Sequence, residues 1–141
     1  MTKKIQNYEI KIPAKTENLE TIRNFIISAT KSLDFHEDEM NKILLAVDEA
    51  CSNVIRHAYH FKENLMKVNL RIEASRLTVT IIDHGKSFNP QNVKTPEMDK
   101  YLKSYKVGGL GMLLMKKLMD EVEYDIKPNS QNKVKLIKYI K

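Results

Sequence analysis

Apolar residues recur at spacings of three and four between Ile43 and Tyr59, and this pattern predicts the helix around which the chain is organised. The apolar stripe consists of Ile43, Val47, Ala50, Cys51, Val54, Ile55 and Ala58. Glu49 and Asn53 stand four residues apart beside that stripe, so both side chains project from one edge of the helix. Such a carboxylate and carboxamide can act as a proton acceptor and a metal ligand, although most pairs of this kind are only a solvated helix face.

The remaining elements follow simpler patterns. Alternating apolar and polar residues predict strands at 5–12, 66–73, 77–81, 122–126 and 134–140, the second and third being joined as a hairpin. A first helix is predicted from an N-cap at Thr16 to Leu33. The residues from Ser87 to Val107 have no period, and an amphipathic helix is predicted after the glycines that follow them.

Length and composition describe one ordinary globular domain covering residues 1–141, with 42% hydrophobic and 30% charged residues. The one cysteine, Cys51, lies on the apolar stripe and cannot form an internal disulfide, which favours a reducing, cytoplasmic setting. Because the sequence has neither a signal-peptide pattern nor an apolar run of membrane-spanning length, we expect a soluble protein with no membrane partner.

The net charge of +6 raises the question of an acidic partner such as nucleic acid. The lysines are scattered, and the densest group is in the last strand, at Lys133, Lys135, Lys138 and Lys141. We interpret that group as protection of a sheet edge against unwanted pairing. Since there is no helix-turn-helix, zinc or aromatic-studded basic pattern, direct nucleic-acid binding is not expected.

The four glycines fall in two places. Gly85 ends the sequence Asp83-His84-Gly85 after a predicted strand, and Gly108, Gly109 and Gly111 stand where a helix begins. Free backbone N–H groups and the positive end of the helix dipole at such a position favour an anion such as phosphate. The pattern is neither a Walker A loop nor a Rossmann fingerprint, and a plain glycine hinge is the alternative.

These features occur in a recognisable order, and the resemblance covers essentially the whole chain. EACSNVIRHAY is similar to the N box, DHGKSF to the G1 box and GGLGMLLMKKLMDEV to the G2 box of the GHKL (Bergerat-fold) nucleotide-binding superfamily. In length and order the chain resembles the small bacterial anti-sigma-factor serine kinases. The implied fold is α+β: a two-layer α/β sandwich with a mixed, mostly antiparallel sheet and helices on one face.

The resemblance also implies a role for each matching residue. Asn53 would coordinate a Mg²⁺ that bridges the phosphates of ATP, and Glu49 would be the general base. Asp83 would accept a hydrogen bond from the adenine amino group, and Gly85 would let the base approach. The phosphate would rest on Gly108, Gly109, Leu110 and Gly111. The segment 87–107 would form a nucleotide lid.

The implied partners are proteins. One is a STAS-type anti-anti-sigma protein that is phosphorylated on serine, and the other is a sigma factor held in the alternative state. Members of this family resemble one another in forming homodimers through the sheet and first helix. Arg23, on the polar side of that helix, is a candidate for partner contact, although a solvated arginine is an equal alternative.

One departure from the family pattern bears on function. The family usually has a threonine that reaches the adenine pocket just before the last strand, and here Lys133 stands near that position. This departure leaves open a non-catalytic, nucleotide-gated binding module as an alternative to the anti-sigma kinase. Because modules of this kind are reused in other switching pathways, a STAS-directed kinase of a non-sigma pathway is a second alternative.

Overall fold

The computed structural model describes residues 5–59, 64–85, 107–127 and 130–140, which form a sheet covered on one face by helices. The strands are β1 (Gln6–Pro13), β2 (Leu65–Ile72), β3 (Arg76–Asp83), β4 (Glu121–Lys127) and β5 (Gln131–Tyr139). The helices are α1 (Leu19–Ala29), α2 (Glu37–Asn53) and α3 (Val107–Leu118). The predicted two-layer α+β fold is confirmed, and each strand pair in the described residues is antiparallel.

The core lies between the sheet and the helices, because alternate residues of each strand point to that side. Its buried strand residues include Met66, Val68, Leu70, Ile72, Leu77, Val79, Ile81 and Leu136. The predicted stripe of α2 packs onto them, and each of Ile43, Val47, Ala50, Cys51, Val54 and Ile55 is 5% exposed or less. Full burial of a side chain of this kind stabilises the fold by about 1.5–3 kcal/mol, so this stripe fixes which edge of α2 remains polar.

The strand order β1-β2-β3-β5-β4 puts the last strand inside the sheet, between β3 and β4. Our interpretation of its lysines as edge protection is therefore wrong. Lys133 and Lys135 line a polar concavity on the sheet face opposite the helices. Lys138 is buried on the helix side, where its Nζ lies 3.0 Å from Oε2 of Glu39 and donates to the last carbonyl of α3 at 3.3 Å. Lys141 lies outside the described residues.

The first helix is shorter than its apolar pattern predicts. A 3₁₀ turn at Thr16–Asn18 precedes it, and no side chain caps its start, so the predicted N-cap at Thr16 is wrong. The helix ends at Ala29, where the hydroxyl of Thr30 donates back to the carbonyl of Ile26 at 2.7 Å. A hydroxyl that competes for a helical carbonyl in this way favours termination.

The central helix changes its geometry directly after Asn53. The next residues, Val54–Ala58, form a π-helical turn. In it the N–H of Tyr59 donates to the carbonyl of Val54 at 3.0 Å. A π turn has an extra residue per turn, and such turns are frequent at functional sites. The turn brings the end of this helix against the end of β3.

Among the described residues, no helix combines the length and the apolar character needed to cross a membrane.

Candidate functional site

Two side chains of α2, Glu49 and Asn53, form what we call the Asn53 edge. Both residues are partly buried, and their spacing places them one turn apart on the same side of the helix. The Oδ1 atom of Asn53 is buried and accepts no hydrogen bond from the described part of the chain. Because a buried polar atom without a partner costs roughly 1–3 kcal/mol, the Asn53 edge is suited to a ligand that supplies the missing contact.

The chemistry of the Asn53 edge fits Mg²⁺. This ion prefers oxygen ligands, keeps several of its waters, and is usually held by one or two protein oxygens together with substrate phosphates. The unpartnered Oδ1 of Asn53 is an oxygen donor of the required kind. Asn53 is therefore the residue that can hold the ion, and Glu49 lies one turn before it on the same helix.

The ion pair of Arg23 joins α1 to the same helix. Nη1 of Arg23 donates to Oδ2 of Asp48 at 2.9 Å, and Asp48 directly precedes Glu49 in the sequence. Burial raises the pKa of Asp48, while the charge and the hydrogen bond of Arg23 lower it. The other oxygen of Asp48, Oδ1, is buried and without a hydrogen bond among the described residues. Arg23 thus has a structural partner, with 39% of its side chain still exposed.

The glycine segment lies at the start of α3. It comprises Gly108, Gly109, Leu110 and Gly111, and α3 begins at Val107. The first N–H groups of a helix have no acceptor within it, and they carry the positive end of its dipole. Since α3 packs against α2, this helix start and the Asn53 edge belong to neighbouring helices. Of the predicted lid, 87–107, the structure describes only Val107, and the rest lies outside the described residues.

A second group of polar residues, which we call the Asp83 cluster, consists of Asp83, Gly85 and Asn132. Asp83 ends β3 and is buried, and Asn132 lies opposite it on β5. Oδ1 of Asp83 accepts hydrogen bonds from the N–H of Gly85 and from Nδ2 of Asn132, each at 2.9 Å. Nδ2 of Asn132 also donates to the carbonyl of Gly85 at 3.2 Å. The Asp83 cluster is therefore held by its own hydrogen bonds.

The side chain of Tyr59 fixes the Asp83 cluster to the end of the central helix. Its buried hydroxyl donates to the carbonyl of Leu65 at 2.8 Å and accepts from the N–H of His84 at 2.9 Å. Burial raises the pKa of Tyr59, the hydrogen bond from His84 opposes this, and the nearby charge of Asp83 adds to it. The neutral hydroxyl can therefore serve as donor and acceptor together.

Close packing explains why residue 85 is a glycine. A Cβ at this position would lie 2.5 Å from the carbonyl oxygen of Ala58 and 2.7 Å from its Cβ. These contacts are with the π turn, so no other residue fits without moving the backbone. We expected glycine here for the approach of a nucleotide base, and the structure adds a close approach of two protein segments.

The residue opposite Asp83 is Asn132 rather than Lys133. Lys133 pairs with Ile82 and lines the far face of the sheet. The polar side chain that reaches Asp83 therefore comes one residue earlier than the sequence comparison suggested. Because consecutive strand residues point to opposite faces, this shift of one position decides which side chain reaches the site.

Sequence reasoning missed Asn132, Tyr59 and Asp48. Asn132 could have been found, because it shares its strand face with Val134 and the buried Leu136. No local pattern indicates that the Tyr59 hydroxyl meets His84, since this contact depends on how helix and sheet are docked.

The chain is similar to known proteins along most of its length. The sequence model of the family described as histidine kinase-like ATPase domain matches residues 12–138. A protein named serine-protein kinase RsbW from Bacillus licheniformis is 35% identical, over 84% of this chain and 77% of that protein. Its namesake from Bacillus velezensis is 33% identical, over 99% of this chain and 89% of the relative. The family match includes both the Asn53 edge and the Asp83 cluster.

Proposed function

Because the chain belongs to the histidine kinase-like ATPase family, we propose that it is an anti-sigma-factor serine kinase that uses Mg²⁺-bound ATP. The observation that carries this proposal is the Asn53 edge, where Glu49 stands one turn from a buried amide oxygen that lacks a hydrogen-bond donor among the described residues. The similarity to proteins named serine-protein kinases supports the same reading.

In the proposed reaction, Glu49 accepts the proton of a serine hydroxyl. The serine oxygen forms a bond to the γ-phosphorus of ATP, and the bond from that phosphorus to the bridging oxygen of ADP breaks. Asn53 holds the metal through Oδ1, and Mg²⁺, when bound, neutralises charge on the phosphates. The first N–H groups of α3 hold phosphate oxygens. Catalysis of this kind depends mainly on position and charge, and in this proposal α2 and the start of α3 supply both.

At the other end of the site, Asp83 receives the adenine amino group and Gly85 lies beside the base. The main support for a non-catalytic module was the lysine near the position of the family threonine. Asn132 weakens that support, because it brings a buried polar side chain to Asp83. We therefore favour the kinase.

The protein substrate is a serine of a STAS-type anti-anti-sigma protein, and the alternative partner is a sigma factor that is kept from RNA polymerase. The protein acts in the cytoplasm as a homodimer. Arg23 is a partner-contact candidate through its exposed part. A STAS-directed kinase of a non-sigma pathway uses the same site, so capture of the STAS protein without a sigma factor selects that alternative.

The central experiment measures phosphoryl transfer. The protein is mixed with γ-labelled ATP, Mg²⁺ and the STAS protein of the same organism, and label on serine is counted. We expect Glu49→Gln to lower the rate by roughly 10²–10⁴-fold, since it removes the proton acceptor. ATP affinity, measured by calorimetry, should change little, because the variant keeps the size of the side chain.

Glu37→Gln is the matched control, because Glu37 is exposed at the start of the same helix. It should keep the wild-type rate. Undiminished transfer by a folded Glu49→Gln protein removes Glu49 from the base role. A wild-type protein that fails to bind Mg²⁺-ATP overturns the proposed function itself.

A further inference from the structure

The side-chain amide of Asn132 has one possible orientation. It is 4% exposed, and its Nδ2 reaches Oδ1 of Asp83 and the carbonyl of Gly85. Both of these atoms are acceptors, so a flipped amide would place its oxygen against them and lose two hydrogen bonds. The nitrogen therefore faces the Asp83 cluster, and both of its hydrogens are in use.

The orientation of Asn132 determines how Asp83 meets a ligand. Oδ1 of Asp83 receives the N–H of Gly85 and the amide of Asn132, and both groups can only donate. Oδ1 is thus committed as an acceptor, and the carboxylate is held against rotation from two directions. No hydrogen bond to the other oxygen, Oδ2, arises from the described part of the chain. Oδ2 is the oxygen that remains for a ligand.

We propose that Asn132 is a specificity-determining residue, which by holding Oδ1 of Asp83 makes the site select a purine with a 6-amino group over one with a 6-oxo group. This inference rests on the proposed function, because it concerns the base of the nucleotide bound there. A 6-amino group donates to Oδ2. A 6-oxo group would bring an acceptor against Oδ2, so neither oxygen would gain a hydrogen bond from the other.

Asp83 by itself would select less strongly. Without Asn132, its Oδ1 keeps the hydrogen bond from Gly85 alone, and the carboxyl group is free to turn. A carboxylate that is free to turn can also reach the N1–H that accompanies a 6-oxo group, whereas one held by two donors keeps Oδ2 in place for a 6-amino group. The second donor, Asn132, is therefore what makes the selection strict.

The test compares ATP with inosine triphosphate, which carries a 6-oxo group and an N1–H where ATP has a 6-amino group and an N1 that accepts. Dissociation constants of both Mg²⁺-nucleotides are measured by calorimetry for the wild-type protein and for Asn132→Ala and Asn132→Thr. We expect the wild type to prefer ATP by at least about tenfold, which is about 1.4 kcal/mol. Asn132→Ala should lose most of this preference. Asn132→Thr should lie between the two, since a hydroxyl donates one hydrogen bond where the amide donates two.

Lys133→Ala is the matched control, because Lys133 is the next residue of β5 and lines the opposite face of the sheet. It should keep the wild-type preference. If Asn132 only supported the fold, both nucleotides would weaken equally in Asn132→Ala, and a preference within twofold of wild type would overturn the inference.

Two measurements on the wild type make the outcome clear even if a variant does not fold. Equal affinity of the wild type for ATP and inosine triphosphate would overturn the inference without any variant. Binding of neither nucleotide would instead overturn the proposed function. Selective wild-type binding that survives in a folded Asn132→Ala protein would leave the kinase proposal intact and remove only the role of Asn132.

Discussion

The Asp83 cluster and the Asn53 edge differ in whether their buried polar atoms are hydrogen-bonded. In the Asp83 cluster, Oδ1 of the aspartate and the amide nitrogen of Asn132 make two hydrogen bonds each. In the Asn53 edge, the buried amide oxygen of Asn53 accepts none from the described residues. Both groups lie next to the π turn that ends the central helix, so their difference arises from local chemistry rather than from position in the fold.

This difference indicates that the two groups are suited to different parts of a ligand. A satisfied network is rigid and costs nothing further when a ligand arrives, which suits recognition of a flat base with fixed donors. A buried oxygen without a donor is destabilising in the free protein, which suits a site completed by a cation. In the proposed complex, the same nucleotide would meet a hydrogen-bonded carboxylate at one end and an amide oxygen without a donor among the described residues at the other.

The largest expected effect is on the rigid side, where Gly85→Ala adds one methyl group. The nearest atom, the carbonyl oxygen of Ala58, would be 2.5 Å away and belongs to the backbone. We expect a loss of about 1–3 kcal/mol in unfolding free energy, measured by urea denaturation, because the π turn or the end of β3 must move.

The double variant Ala58→Gly, Gly85→Ala tests the cause of that loss. It removes the Cβ contact of 2.7 Å but leaves the carbonyl contact, so it should recover only part of the lost stability. If Gly85→Ala alone kept the stability of the wild type, the backbone at this end of the site would move at little cost. The Asp83 cluster would then not be the rigid end of the site.

A second prediction compares the same substitution at both ends. Asn132→Ala leaves Oδ1 of Asp83 and the carbonyl of Gly85 each short of one donor, which should cost about 1–3 kcal/mol of unfolding free energy. Asn53→Ala removes an oxygen that has no donor among the described residues, so stability should stay within roughly 0.5 kcal/mol or rise. Thermal unfolding without ligand measures both.

Addition of Mg²⁺-ATP should make the wild type more stable to unfolding than Asn53→Ala. The wild type gains stability as ligand binds the folded state, and the variant should gain less because it lacks the metal ligand. Asn69→Ala, on the sheet face away from the helices, is the control and should gain as much as the wild type. Equal ligand stabilisation of Asn53→Ala and wild type would contradict the assigned role of Asn53.

Much of the fold could be predicted because helices and strands each produce a local pattern of apolar residues in the sequence. The period of the central helix predicted its buried stripe, and the alternation in β2 and β3 predicted a hairpin that the structure confirms. These patterns follow from the helical and strand repeats themselves, so they survive whatever the rest of the chain does.

The features that could not be predicted depend on how elements are docked. The lysines of β5 were misread because nothing local says that the last strand enters the sheet between β3 and β4. The contact of Asn132 with Asp83 depends on strand register, and a shift of one residue exchanges it for Lys133. The π turn after Asn53 leaves the apolar period intact, so the sequence pattern does not reveal it.

The smallest expected effect concerns Asp48, which extends the contrast along the central helix. Burial raises its pKa despite the opposing charge and hydrogen bond of Arg23. Because the pKa is higher in the folded than in the unfolded state, folding favours the protonated form. The stabilising contribution is therefore complete below the unfolded pKa, and it is lost as pH rises through the folded pKa. Relative to Asp48→Asn, the wild type should be more stable in acid than at neutral pH.

Arg23→Gln sharpens this last prediction, since it removes the group that lowers the pKa of Asp48. The folded pKa should then rise further, and the stability lost between about pH 4 and about pH 7 should be larger than in the wild type. Urea denaturation across this range measures it, and the double variant with Asp48→Asn should abolish the difference. If the wild type and Asp48→Asn keep a constant difference in unfolding free energy at every pH, burial does not destabilise the charged form of Asp48. The unsatisfied chemistry of this helix would then be confined to Asn53.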